Sequence, residues 1–181
     1  MDAWSAERLS DRAQIQEVLY RYCAAIDRIQ PDALLRNVFH DDALIDKTGE
    51  PYPVGQFVEQ VAARHPGVPI ATHMITTFLV DFLGDDAAFV ESWGLALERH
   101  PPVAPHTEAV DRVYRVRYGD LFERRGPIGW RIAKRTFVTD HVLSTIADPG
   151  LAPDLGASTR GARDRSDPLV RMRLSLGLSA A

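Results

Sequence analysis

The feature that most limits what this chain can become is a change of period near residue 71. Before it, apolar residues recur at helical spacing; after it, they alternate as strands do. "ATHMITTFLVDFL" (71–83) is rich in β-branched residues and stops at "GDD", a turn. "AAFVESWGLALER" (87–99) suits a second long strand, although its alanines and leucines also suit a helix. "AVDRVYRVRYGDLFER" (109–124) sets Arg112, Tyr114, Val116 and Tyr118 on one face and Val113, Arg115 and Arg117 on the other. "RGPIG" then turns the chain, and "WRIAKRTFVTDHV" (130–142) is the last strand.

The residues before this point supply the cover for such a sheet. Asp11 and Gln14 resemble a capping box, and Ile15, Val18, Leu19, Tyr22 and Ile26 follow at spacings of three and four. Pro31 opens a second short helix, "PDALLRNVF". "HDDALID" reads as a turn and short strand, and "GQFVEQVAARH" as a third helix stopped by "PGVP". Helices first and a meander of strands after predict an α+β domain over residues 1–144. Its expected form is a cone: a strongly curved antiparallel sheet with the N-terminal helices packed across the concave face. A cone can hold a small molecule in an internal cavity. Residues 145–181 are dominated by Gly, Pro, Ala, Ser and Arg and read as a partly ordered tail, packed on the body or on a neighbouring subunit. Within it "DPLVRMRLSL" suits one short element.

Composition removes several functions. The net charge is −4, so no general nucleic-acid-binding surface is indicated. No stretch approaches the roughly 20 apolar residues of a membrane helix, and the N-terminus has no signal-like apolar run. A single cysteine, Cys23, allows no internal disulfide and no Cys-rich metal site. The expectation is a cytoplasmic protein.

Few residues offer chemistry. His73 opens the first long strand on a face continuing to Ile75, Thr77 and Leu79; it is either a hydrogen-bonded core residue or a base. Asp27 ends the first helix, where an acid opposes the macrodipole, about 120° from Ile15 at the edge of the apolar stripe. It is either solvated or retained by something other than the helix. Arg135 shares a strand face with Ala133, Phe137 and Thr139 and either snorkels at a rim or meets a partner inside.

Three segments together carry a resemblance: "YRYCAAID", "THMITT" and "WRIAKR". Over residues 8 to 142 the chain resembles the SnoaL-like branch of the nuclear-transport-factor-two-like superfamily, which includes scytalone dehydratase, bile-acid dehydratase and hexachlorocyclohexane dehydrochlorinase. The resemblance implies the cone fold, a homodimer or homotrimer, and a His–Asp pair inside the cone that needs neither metal nor organic cofactor. It puts that pair on His73 and Asp27, with Tyr22 and Arg135 as further catalytic residues. The segment "HMITT" departs from the family pattern by placing Thr77 where an asparagine is common.

Such a pair suits elimination. An imidazole titrates near 6.5, so it serves as a base at neutral pH, and a carboxylate on its other nitrogen fixes the tautomer. Tyr22 would polarise a carbonyl or protonate a departing hydroxyl, and Arg135 would stabilise developing negative charge. Thr77, Phe78, Trp93, Tyr114, Tyr118 and Phe137 are the expected substrate contacts, with Phe89 as a further aromatic. The leading expectation is a dehydratase-like lyase for a small, mainly apolar cyclic substrate. The alternatives are an isomerase or cyclase on the same pair, and a non-catalytic assembly module like an oxygenase small subunit. Other chemistry is poorly supported. Cys23 has no activating basic neighbour in sequence, His100 and His106 with Glu98 and Glu108 match no standard metal spacing, and adjacent Asp140 and His141 point to opposite strand faces.

Overall fold

A computed structural model describes residues 4–104, 107–147 and 159–180. Helix α1 (Ala6–Asp27) is followed by α2 (Pro31–Asn37), β1 (Phe39–Asp46), the short β2 (Tyr52–Pro53) and α3 (Val54–Arg64). A 3-10 turn at His65–Gly67 leads into β3 (Ile70–Phe82), β4 (Ala87–His100), β5 (Val110–Arg125) and β6 (Gly129–Ile146). Helix α4 (Pro168–Ser175) lies in the tail. Part of that tail, and His106 in the proline-rich loop, lie outside the described residues.

The first helix starts earlier than its capping-box pattern suggests. Ser5 is the N-cap, its Oγ accepting from the Arg8 amide at 3.3 Å. Asp11 sits inside the helix and is buried, because it accepts from Trp130 Nε1 at 2.8 Å and pairs with Arg8 and Arg124, each at 3.1 Å. Its carboxylate therefore pins α1 to β6 and β5. The stripe of Ile15, Leu19, Tyr22 and Ile26 is buried as expected.

The sheet has six strands in the order β2-β1-β6-β5-β4-β3 and is not closed. The β3-β4-β5-β6 meander is antiparallel, and "AAFVESWGLALER" is strand rather than helix. One joint differs from the all-antiparallel expectation: β1 runs parallel to β6. Between sheet and helices lie Phe39, Ile45, Val90, Phe122 and Ile132, all fully buried.

The inward face of β4 carries Ser92, Gly94 and Ala96, so little side-chain volume fills the space above it. Gly94 is forced. A Cβ there would stand 2.9 Å from the Met74 carbonyl oxygen and 3.3 Å from Val116 Cγ2, beside an irregularity in the β3/β4 register between Ile75 and Thr77. Among the described residues, no helix is long and apolar enough to cross a membrane.

Candidate functional site

A cavity of about 670 Å³ opens between the concave sheet face and the ends of α1 and α3. Tyr22, Tyr118, Phe137, Phe57 and Val61 give it an apolar interior. Its polar wall comes from Lys47, Arg64, His65, His73 and Glu98, with Tyr114 and Gln60 nearby.

His73 and Asp27 meet at this wall. Asp27 Oδ1 lies 2.7 Å from His73 Nδ1, and the same carboxylate accepts the His73 backbone N–H at 3.0 and 3.1 Å. Five residues turn a helix by about 140°, so Tyr22 and Asp27 face different ways. That separation explains the acid at the stripe's edge. Tyr22 faces the cavity, whereas Asp27 reaches sideways to β3, and the imidazole stands at the cavity wall between them. The unfavourable dipole at the helix end is offset by Arg163 of the tail, which donates to the Ile26 and Asp27 carbonyls at 2.8 Å each.

Arg135 is placed differently from the expectation. It is fully buried, does not line the cavity, and donates bidentately to the equally buried Asp120 at 2.8 and 2.7 Å. Its guanidinium lies under the rings of Tyr22 and Tyr118, at 4.2 and 4.5 Å from their centroids. The charge that seemed available for a substrate is spent on Asp120, which shares its cross-strand position. Burial pushes the Tyr22 hydroxyl well above its ordinary range and that of Tyr118 to about 12, so both rings keep their protons.

The expected substrate contacts divide. Tyr114, Tyr118 and Phe137 line the cavity. Thr77, Phe78 and Trp93 do not. The irregularity after Ile75 breaks the alternation that placed Thr77 on the face of His73; Thr77 is exposed and paired with Trp93, while Phe78 packs against the core. Phe89 is exposed.

Several wall residues carried no strong signal in the sequence. Glu98 is buried and holds Arg64 at 2.7 Å and His100 Nε2 at 2.9 Å. Its place two residues beyond Ala96 on the inward face of β4 was the available clue. Lys47 is exposed along its length, but its ammonium tucks over Phe57 at 4.9 Å and Phe137 at 5.1 Å, and desolvation holds it below its usual range. His65 is buried, and desolvation, with the charges of Arg64 and Arg163, pushes it down to about 4. Cys23 is buried, and desolvation raises its thiol to about 12, which suits a packing residue.

A SnoaL-like domain matches residues 7–136. The Mycobacterium tuberculosis H37Rv protein Rv2910c is 33% identical over 137 residues, covering 72% of this chain and 86% of its own. Among solved structures, the dehydrochlorinase LinA-type3 of Novosphingobium barchaimii LL02 superposes with a TM-score of 0.63 at 20% identity, covering 79% of this chain and 98% of its own. A scytalone-dehydratase-like protein of Novosphingobium aromaticivorans DSM 12444 superposes with a TM-score of 0.66 at 17% identity, covering 84% and 97%. At these identities the superpositions show a common fold, that of the nuclear-transport-factor-two-like superfamily. The chain therefore belongs to the SnoaL-like family.

Proposed function

We propose that this protein is a cofactor-independent lyase of the dehydratase type, acting on a small, mainly apolar cyclic substrate. The observation that carries the reading is the 2.7 Å contact between His73 Nδ1 and Asp27 Oδ1 at the wall of a cavity. Two fold neighbours are a dehydrochlorinase and a scytalone-dehydratase-like protein, which supports elimination as the reaction class. Asp27 takes the Nδ1–H hydrogen bond and leaves the Nε2 lone pair free to act as base. Nε2 removes a proton from the carbon beside an activating carbonyl. The C–O bond on the next carbon breaks as the C=C bond forms, and the proton on His73 leaves with the hydroxyl as water. Asp27 stabilises the imidazolium in between. Tyr22 hydrogen-bonds the departing hydroxyl, and Tyr114, Tyr118 and Phe137 pack on the ring. Arg135 acts from beneath the site, by holding the Tyr22 and Tyr118 rings, without touching substrate.

We further place the protein in the cytoplasm, as a homodimer or homotrimer whose cavity-bearing body, residues 1–144, carries the tail 145–181 as an accessory. Exposed Met74, Leu79, Phe89 and Leu97 on the outward sheet face support self-association.

The test is a panel of cyclic β-hydroxyketones followed for conjugated enone by ultraviolet absorbance. Asp27→Asn and His73→Ala are expected to lower the rate by about 10²–10⁴-fold while remaining folded. An unchanged rate in folded His73→Ala would refute the reading. Solvent deuterium and positional isomers without loss of water would instead identify an isomerase.

A further inference from the structure

The tail reaches the cavity through one side chain. Arg163 donates from Nε to the Asp27 carbonyl at 2.8 Å, from Nη1 to the His65 and Val68 carbonyls at 3.0 and 2.5 Å, and from Nη2 to the Ile26 carbonyl at 2.8 Å. Its Nη2 also lies 3.2 Å from His65 Nδ1. This one guanidinium ties the end of α1, which holds Asp27, to the turn after α3, which carries His65 into the cavity wall.

The chemistry of that last contact fixes a tautomer. A guanidinium has donors and no acceptor, so the ring nitrogen facing it must be an unprotonated acceptor. Nδ1 of His65 is then bare, and its single proton sits on Nε2. Protonating the ring would set an N–H against the guanidinium and put a cation beside Arg64 and Arg163; the flanking Glu98 carboxylate is already engaged by Arg64 and His100. No described residue meets His65 Nε2.

His73 is arranged the opposite way. Its Nδ1 proton goes to Asp27, which leaves an accepting Nε2. The two imidazole centroids are 6.1 Å apart on one cavity wall. One ring therefore offers a lone pair and the other a permanent N–H. That combination fits an enolisable ketone, whose α-hydrogen and carbonyl oxygen sit on adjacent carbons. A neutral imidazole is a suitable donor to an oxygen that gains charge, because it polarises the carbonyl without giving up its proton.

We propose that His65 binds the carbonyl oxygen of a cyclic ketone substrate through Nε2–H, and that Arg163 of the tail is the positioning residue that holds His65 in that tautomer. The assignment rests on the lyase reading for the identity of the base, and it adds the residue that binds the carbonyl of that ketone and the tail side chain that positions it. His73 withdraws the α-proton while His65 carries the enolate oxygen.

Two measurements on the full-length protein test it. In the first, ¹⁵N-histidine-labelled protein at pH 7 is examined by long-range ¹H–¹⁵N correlation. His65 is expected with Nε2 protonated and Nδ1 bare, and Arg163→Met is expected to lose this single tautomer. A charged ring or an Nδ1–H tautomer in the unsubstituted protein would overturn the proposal even if Arg163→Met does not fold. In the second, 2-tetralone and tetralin, which share a skeleton but differ in the carbonyl, are titrated by ligand-detected NMR. The ketone is expected to bind about three- to tenfold more tightly, the range of one net hydrogen bond. His65→Phe should erase that preference, and His65→Gln, which keeps a donor, should retain part of it. His73→Gln should keep the preference, which separates the donor from the base and leaves this inference standing even if no elimination is found. Equal binding of the two probes, or a preference that survives in His65→Phe or vanishes in His73→Gln, would overturn it.

Discussion

Replacing Asp120 by Asn isolates the buried pair beneath the cavity. Asp120 and Arg135 are both fully buried, and two hydrogen bonds of 2.8 and 2.7 Å join them. Burial works against both charges, and the carboxylate holds the guanidinium above its ordinary range. Asparagine keeps the shape and one acceptor but leaves a cation without its counter-charge. Breaking a buried pair in this way costs about 3–5 kcal/mol. The faces of Tyr22 and Tyr118, at 4.2 and 4.5 Å, continue to stabilise the cation, which puts the expected loss near the lower end, about 3 kcal/mol. At about 2–4 °C per kcal/mol for a chain of this size, the midpoint should fall by about 6–12 °C. Urea unfolding gives the free energy directly, and calorimetry gives the midpoint. A double replacement, Asp120→Leu with Arg135→Met, should recover most of the loss, because two apolar side chains need no pairing. A change below about 0.5 kcal/mol in Asp120→Asn, the scatter of ordinary surface substitutions, would refute the account of Arg135 as a neutralised buried charge.

Gly94→Ala should cost about 1–3 kcal/mol by overpacking, since the new Cβ meets the Met74 carbonyl at 2.9 Å and that backbone must move; denaturant unfolding with amide exchange along β3 measures both. Stability should fall as pH drops from about 6.5 toward 4. His65 is held neutral in the fold down to about 4, whereas the unfolded chain takes up its proton near 6.5, so acid favours unfolding across that window. Urea midpoints at pH 7, 6 and 5 test this, and His65→Gln should flatten the profile.

The strands were legible because one face of each is buried and a two-residue period leaves a plain trace. The same rule misplaced Thr77, since the irregularity between Ile75 and Thr77 resets the alternation along β3 and nothing local announces it, whereas Trp93 falls on the outward face of an unbroken alternation along β4. The start of α1 was misread because Asp11 looks like a cap when its partners, Trp130 and Arg124, are more than a hundred residues away. Arg135 suffered from the same blindness: its meaning depends on Asp120 standing opposite in the β5/β6 register. The His73–Asp27 pair became visible through family resemblance, not through spacing, as 46 residues separate them. Arg163 had no trace at all, because it is one of three arginines, with Arg160 and Arg165, in a Gly/Ala/Asp stretch that has no periodic face to single one out.

The tail's clamp bears on the order in which a newborn chain becomes competent. Synthesis runs from the N-terminus, so α1 and the entire sheet leave the ribosome before residue 163 does. Until then the last turn of α1 has no guanidinium on the Ile26 and Asp27 carbonyls. A nascent polypeptide halted after β6 would own every strand of its open sheet and both members of the acid–imidazole pair, yet the carbonyls that end α1 would still be waiting for their cation.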